Sequence, residues 1–433
     1  MIITIVLSML AIIGMFICIL RFPSIRIKNF QMDTFYLPIL FVAIIFLTFP
    51  IFDKNELFNI LTTNSNLNPL KILVLFICVS IISIALDETG FFSYIATIFI
   101  NKYKASQTKL FIVIYILISI LTIFTSNDIV ILTFTPFILY FSKSGKINPI
   151  PYLVMEFVAA NTYSMLLAIG NPTNIYLASA FNITFIDYLL TMIIPTLLCG
   201  ITSFILLLIM FRKQLKKPIE VFEMNEAKIQ NKPLCIICGI HLALTTILLA
   251  ISSYINLEMW IICLCFAVSL LLILSVYSIV KRNSKYLEST IKRVPYSLIP
   301  FILSMFTIIM ALNHYSVFSF IQEGFAEISN NITEPLIYLL TSTLSCNVLN
   351  NIPMTLAYGS ILSNTENLKL VYATIIGSNI GAMLTPVGAL AGIMWIRMLK
   401  INGIDYSFKS FMKNGVIITF TLLIAGAIAL LII

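Results

Sequence analysis

Charge is scarce in this 433-residue chain: Asp, Glu, Lys and Arg together make up 10% of it, against 60% hydrophobic residues. No stretch is long and polar enough to fold as a separate soluble domain. Histidine occurs only twice, at His241 and His314, which leaves a His-rich metal centre unsupported. Neither an H-E-x-x-H run nor a nucleophile–base pair lies in the apolar segments, which argues against an intramembrane enzyme. The opening segment, residues 2–20, lacks a basic leader and a small-residue cleavage site, so it reads as a retained span. Cysteine numbers eight, but the lone C-x-x-C of Cys235 and Cys238 has no second ligand pair and reads as packing.

What the chain does have is apolar runs of membrane-spanning length, about 17–25 residues, recurring from end to end. It is one polytopic, all-α membrane protein. The net charge of +8 does not point to nucleic acid, because the basic residues sit in short loops, where positive-inside bias puts them. Loops at 21–28, 102–109, 143–146, 212–232, 281–293 and 397–413 are rich in Lys and Arg. Those at 52–69, around Asp187, and at 255–258, 319–334 and 360–368 are poor in them.

Placing the first set in the cytoplasm predicts ten crossings of a bacterial-type inner membrane, with both termini outside. The spans are 2–20, 34–51, 70–86, 150–182, 188–211, 234–254, 258–280, 296–316, 369–396 and 412–433. Segments 109–142 and 335–363 each leave from and return to the same kind of loop, so they read as re-entrant hairpins entering from opposite faces. Five crossings per half make the second half an inverted copy of the first. The repeats are 1–211 and 234–433, joined by a cytoplasmic linker at 212–233. Residues 85–95 align without gaps with 311–321. Inverted repeats of this kind build secondary transporters with a site at the bilayer midplane.

A motif pair occurs twice, about 220 residues apart. T-S-N-D-I-V at 125–130 precedes I-G-N-P-T-N-I at 169–175, and L-N-N-I-P-M at 349–354 precedes T-P-V-G-A-L-A-G at 385–392. In lipid, such interruptions are tolerated only where the freed backbone lines a protein-enclosed cavity. The substrate-binding candidates are Ser126, Asn127, Asn350 and Asn351 at the hairpin tips. Asn171, Thr173, Asn174, Ser378, Asn379, Thr385 and Gly388 join them from the broken helices 150–182 and 369–396. Pro172, Pro353 and Pro386 lack an N–H, so helical turns ending there would free the carbonyls of Ala168, Leu349 and Ala382 for a hard cation such as sodium. The half-helices that follow present N–H groups suited to an anion.

Asp128 is the sharpest single residue, since a carboxylate at mid-membrane depth costs at least about 2.5 kcal/mol on insertion scales. With Ala168, Gly170 and Ala382 it forms the candidate coupling-ion set. Glu156 is expected near the basic face, within snorkelling reach. Asp87 and Glu88 mark a span end, and Arg397 and Lys400 read as cytoplasmic anchors. No cofactor is expected beyond a sodium ion. The expected partners are a small-molecule anion and the lipid bilayer.

L-D-E-T-G-F-F at 86–92, S-N-D at 126–128, L-N-N-I-P at 349–353 and G-S-N-I-G-A-M-L-T-P-V-G at 377–388 resemble the arsenite permease family. That family belongs to the ion transporter superfamily, with citrate carriers, divalent anion–sodium symporters and some sodium/proton antiporters. The resemblance implies a scaffold and a transport domain, an elevator-like movement and a homodimer. Its members carry Asp where this chain has Asn161 and Asn379, and Lys where it has Met383. The Ser126-Asn127 tip and the Gly170–Asn174 break are similar to the corresponding motifs of the divalent anion–sodium symporters. The function expected is secondary active transport of a small anion or oxyanion, coupled to sodium or protons. Arsenite efflux, sodium/proton antiport and a passive channel are the alternatives.

Overall fold

The computed structural model describes the whole chain apart from residues 23, 28–29, 50, 52–54, 56–57, 59–61, 63–67, 104–105, 220–227, 253, 328–329, 331 and 364. The loop expected at 52–69 and the centre of the linker therefore lie largely outside the described residues.

The first half runs through helices α1 (Ile2–Arg21), α2 (Leu37–Thr48), α3 (Pro69–Glu88), α4 (Phe91–Tyr103), α5 (Gln107–Phe124) and α6 (Asn127–Ser144). It ends with α7 (Ile150–Tyr163), a 3₁₀ turn (Ala168–Gly170), α8 (Pro172–Ala180) and α9 (Phe185–Leu215). The second half has α10 (Lys232–Ile251), α11 (Met259–Lys281), α12 (Lys285–Arg293), α13 (Leu298–His314), α14 (Val317–Glu327), α15 (Thr333–Leu349) and α16 (Asn351–Ile361). It closes with α17 (Leu368–Gly381), a 3₁₀ turn (Pro386–Gly388), α18 (Leu390–Ile401) and α19 (Phe408–Ile432). The order of long helix, short helix, two-limbed hairpin, broken helix and long helix from α3 to α9 recurs from α13 to α19.

Short polar residues open these helices by capping the first turn. The side chains of Asn68, Ser106, Thr184, Asn231, Asn367 and Ser407 each accept a backbone N–H of the helix that follows. Outward faces are apolar, as lipid requires. Ile236, Ile240, Leu244 and Ile247 form an exposed stripe at helical spacing on α10, and Leu197, Ile201, Ile205 and Ile209 form another on α9.

Among the described residues, eight helices are long and apolar enough to cross a membrane. Three of the ten expected spans are not among them, for two physical reasons. α2 has 12 residues, about 18 Å at 1.5 Å per residue, less than the hydrocarbon thickness. The expected spans 150–182 and 369–396 are each broken into two limbs around a 3₁₀ turn. Among the described residues the one departure from an all-helical chain is an antiparallel pair of short strands, β1 (Ser24–Ile27) and β2 (Phe30–Asp33), with Ser24 opposite Asp33.

Both expected hairpins are present as paired helical limbs, and Gln107–Phe124, the first limb of one, is itself among the eight helices long and apolar enough to cross. Tyr152 packs its ring on Phe111 of α5 at 5.7 Å and on Phe141 of α6 at 5.1 Å, and its hydroxyl donates to Gln107 O. The bases of the two limbs therefore lie together, and Thr125–Ser126 is the tip. In the second hairpin Tyr338 of α15 and Tyr358 of α16 meet at 6.2 Å in the same way. The halves interlock reciprocally: α18 packs on α6, and α8 packs on α16. Each broken helix thus sends its second limb against the other repeat's hairpin.

Candidate functional site

At the first tip the backbone is extended at Ser126, and Asn127 opens α6. Asn127 Nδ2 donates to Asn161 Oδ1 at 3.1 Å, and Asn161 Nδ2 donates to Phe157 O at 2.8 Å. Asp128 follows in the first turn of α6, where the helix dipole favours a negative charge. It is half-buried and makes no hydrogen bond or ion pair among the described residues. At the second tip Asn350 takes φ +73° and ψ 153°, a conformation costly for a residue with a Cβ. Its side chain caps α16 at Ile352 N, and its Nδ2 donates to Val387 O at 2.9 Å. The neighbouring Asn351 Oδ1 is buried with no partner among the described residues. Counting from each helix start, Ile352 stands where Asp128 does, so only one tip is charged.

The broken helices supply the rest. Asn171 caps α8 by accepting Thr173 N at 3.3 Å, and Asn174 Nδ2 reaches back across the break to Ser164 O at 2.8 Å. Ala168 and Gly170 lie buried in the turn between, where a Cβ on Gly170 would collide with the Ser164 carbonyl. From α17, Asn379 Oδ1 accepts from Asn171 Nδ2 at 3.0 Å and from Ser164 Oγ at 3.2 Å, while its Nδ2 donates to Asn174 Oδ1 at 2.8 Å. Ser378 Oγ donates to Thr173 Oγ1 at 3.3 Å. Ala382 ends α17.

Beyond it, Thr385 Oγ1 donates to Asn347 Oδ1 at 2.7 Å, and Asn347 Nδ2 donates to Gly381 O at 3.0 Å. A Cβ on Gly388 would come within 2.7 Å of Gly381 O. Pro172 begins α8 after the first break, Pro386 begins the 3₁₀ turn of the second, and Pro353 lies in the first turn of α16; in these places a missing N–H costs little.

A continuous network thus runs from Asn127 through Asn161, Ser164 and Asn379 to Asn171, Asn174, Thr173 and Ser378. A second, smaller cluster joins Asn347, Thr385, Asn350 and the α17–α18 break. Of the predicted binding and coupling residues, Ser126 and Asp128 open onto a cavity of about 500 Å³. The amides are packed behind them.

The cavity is lined by α6 and α18, by α3, by residues 32–36 just before α2, and by the segment after α12. Phe35, Phe76, Leu390, Ile393 and Met394 give it an apolar lining. Arg397 also lines it, so this residue is more than a cytoplasmic anchor; its only ion-pair contact among the described residues is with Asp33, at 3.7 Å. Arg293 is fully engaged, with Asp87 at 2.7 Å and Glu88 at 2.6 Å. Thr133 of α6 donates to the same Asp87 at 2.8 Å, tying the hairpin to the end of α3.

Glu156 corrects an expectation. It does not snorkel: it is 0% exposed and accepts the Thr135 hydroxyl at 3.0–3.2 Å. Every residue of α7 from Pro151 to Thr162 is buried, so no exposed edge lies beside the Glu156 side chain. Sequence reasoning did not place Ser164, Asn347 and Arg397 in the site. Asn347 had a usable signal, as an amide one helical turn before Asn350 in an apolar run. Arg397 had one too, since it shares a helix face with Leu390, Ile393 and Met394.

The chain is similar to known transporters along most of its length. It is 24% identical over 375 residues to the "Arsenical pump membrane protein" of Escherichia coli, covering 82% of this chain and 84% of that one. A "Putative arsenical pump membrane protein" of Bacillus subtilis (strain 168) is 24% identical over 384 residues, covering 78% and 82%. The "46 kDa membrane protein" of Mycobacterium leprae (strain TN) is 23% identical, covering 87% and 89%. Among solved structures, the YdaH transporter of Alcanivorax borkumensis shares the fold, with a TM-score of 0.58, 14% identity, and 99% and 97% of the two chains covered. A family description, "Citrate transporter", matches residues 1–368. With its paired hairpins and broken helices, and with that match over most of its length, the chain belongs to the citrate transporter family of membrane transporters.

Proposed function

We propose that the protein is a secondary active transporter of a small anion or oxyanion, driven by a sodium or proton gradient. The observation that carries this reading is the partnerless Asp128 carboxylate, which faces the cavity from a hairpin tip tied by Asn127 to an amide network spanning both broken helices. The carboxylate supplies a cation or proton site. The first turn of α6, which meets the cavity at Ser126 and Asp128, supplies backbone N–H donors for an anion. A single ligating group on one tip only suits a site that loads its driving ion beside the substrate.

The proposal includes two membrane repeats, 1–211 and 234–433, in the cytoplasmic membrane, with both termini outside and a homodimeric assembly. Purified protein in proteoliposomes tests it. Tracer anion should accumulate above its equilibrium level when a sodium or pH gradient is imposed, and not without one. Flux that only runs downhill would mark a channel and overturn it, as would sodium–proton exchange that needs no anion. The names of the Escherichia coli and Bacillus subtilis relatives favour arsenite efflux as a second reading; metalloid resistance conferred on a sensitive host is its test.

A further inference from the structure

The walls of the cavity in front of Asp128 are mostly apolar, and α18 brings one cation, Arg397, to them. α18 turns Leu390, Ile393, Met394 and Arg397 toward the cavity. These positions, i, i+3, i+4 and i+7, form one helix face. From Leu390 to Arg397 the helix rises about 10 Å. Leu390 starts the helix just beyond the break, on the side packed against α6, and Arg397 lies near its other end. Phe35 and Phe76 add aromatic surface to the same cavity.

The cations at that end differ in availability. Arg293 is held by two carboxylates, and the Lys292 side chain is 76% exposed beside Glu288. Arg397 makes only the long contact to Asp33, which leaves its planar fork of donors open to a ligand. A compact inorganic oxyanion bound there would leave the apolar face and most of a cavity of about 500 Å³ in contact with water. A multiply charged acid lying along α18 would set its further charges against Ile393 and Met394, while the cavity's other cations, Arg293 and Lys292, stand beside Asp87, Glu88 and Glu288.

We propose that the substrate is an amphipathic organic anion, with one acidic head on Arg397 and an apolar body lying along Leu390, Ile393 and Met394 toward Ser126. This rests on the transport reading above and narrows its substrate class. Asp33 then competes with the substrate head for Arg397.

The test is binding to the purified full-length protein, by thermal shift and calorimetry. The probes are 4-phenylbutyrate, its neutral amide, citrate, phosphate, sulfate and arsenite, each with and without sodium. Phenylbutyrate should bind more tightly than every other probe, including the amide. Arg397→Gln should weaken it about tenfold or more, as loss of a charge partner in a desolvated site does. Met394→Asp should abolish binding, whereas Asp33→Asn should strengthen it several-fold, which an effect on folding alone would not do. Tighter binding of citrate or an inorganic oxyanion, or phenylbutyrate binding indifferent to Arg397→Gln, overturns the inference but leaves anion transport standing. Failure of every anion to bind overturns both.

Discussion

Asn379 Nδ2 donates to Asn174 Oδ1 at 2.8 Å, a bond between residues 205 positions apart that fastens the second broken helix to the first. The same amide group donates to Ile375 O at 2.9 Å, and its oxygen accepts from Asn171 and Ser164, so both donors and both acceptor sites are used. An aspartate here would keep the acceptors and lose both donors, leaving Asn174 Oδ1 facing a carboxylate. Asn379→Asp should destabilise the protein by about 1–3 kcal/mol, the cost of buried partners left unpaired. A thermal midpoint equal to that of the wild type would show that the amide is not what joins the halves.

Asp128 stands apart from that lattice. Its position in the first turn of α6 gives it a small structural role, worth about 0.3–1 kcal/mol through the helix dipole. Asp128→Asn should therefore leave the thermal midpoint nearly unchanged. Gradient-driven accumulation in proteoliposomes should fall to the equilibrium level, while exchange of external for internal substrate continues. Full accumulation by this variant would remove Asp128 from the coupling step. Loss of exchange along with accumulation would assign it to substrate binding.

The hairpins and broken helices were legible because polar residues in a lipid-embedded segment have few explanations. Ser126-Asn127 and Asn350-Asn351 interrupt apolar runs, and only enclosed tips satisfy their backbones. Which amide meets which was not legible. Asn379 pairs with Asn174 through tertiary folding, and no spacing along the chain encodes that choice. Arg397 shows a second limit: counting charges per loop assigns it a side of the membrane but ignores the helical phase that turns it into the cavity. The strands at 24–33 were too short, at 4 residues each, to stand out beside twenty-residue apolar runs.

Glu156 separates hydrogen bonding from charge. Its carboxyl oxygens accept the Thr135 hydroxyl in a site with no exposure. Glu156→Gln keeps an acceptor of the same shape and should cost less than about 1 kcal/mol. Glu156→Ala leaves the Thr135 hydroxyl unpaired beside a void and should cost about 2–5 kcal/mol. Thermal or denaturant unfolding of the two variants distinguishes them. Equal losses in both would mean that an acceptor of the same shape does not replace the carboxyl group.

α15 lies directly on α17 at a G-x-x-x-G stretch, Gly377 to Gly381, the small-residue spacing that lets membrane helices approach closely. A Cβ at Gly381 would come within 2.6 Å of Thr343 O and 3.0 Å of Cys346 Cβ, both on α15. The close approach also carries polar bonds: Thr343 Oγ1 donates to Gly377 O at 3.2 Å, and Asn347 Nδ2 to Gly381 O at 3.0 Å. Gly381→Ala gains up to about 1 kcal/mol of helix propensity. Overpacking costs about 1–3 kcal/mol, and separating the helices removes the Asn347 bond as well. The net effect should be a lower thermal midpoint and weaker uptake, since Asn347 also positions Thr385 at the break. Gly239→Ala is the matched control, because its Cβ would meet nothing within 4 Å in α10. That variant should be neutral or more stable, with uptake unchanged. A Gly381→Ala protein as stable as the Gly239→Ala protein would show that α15 and α17 are not held at glycine-limited distance.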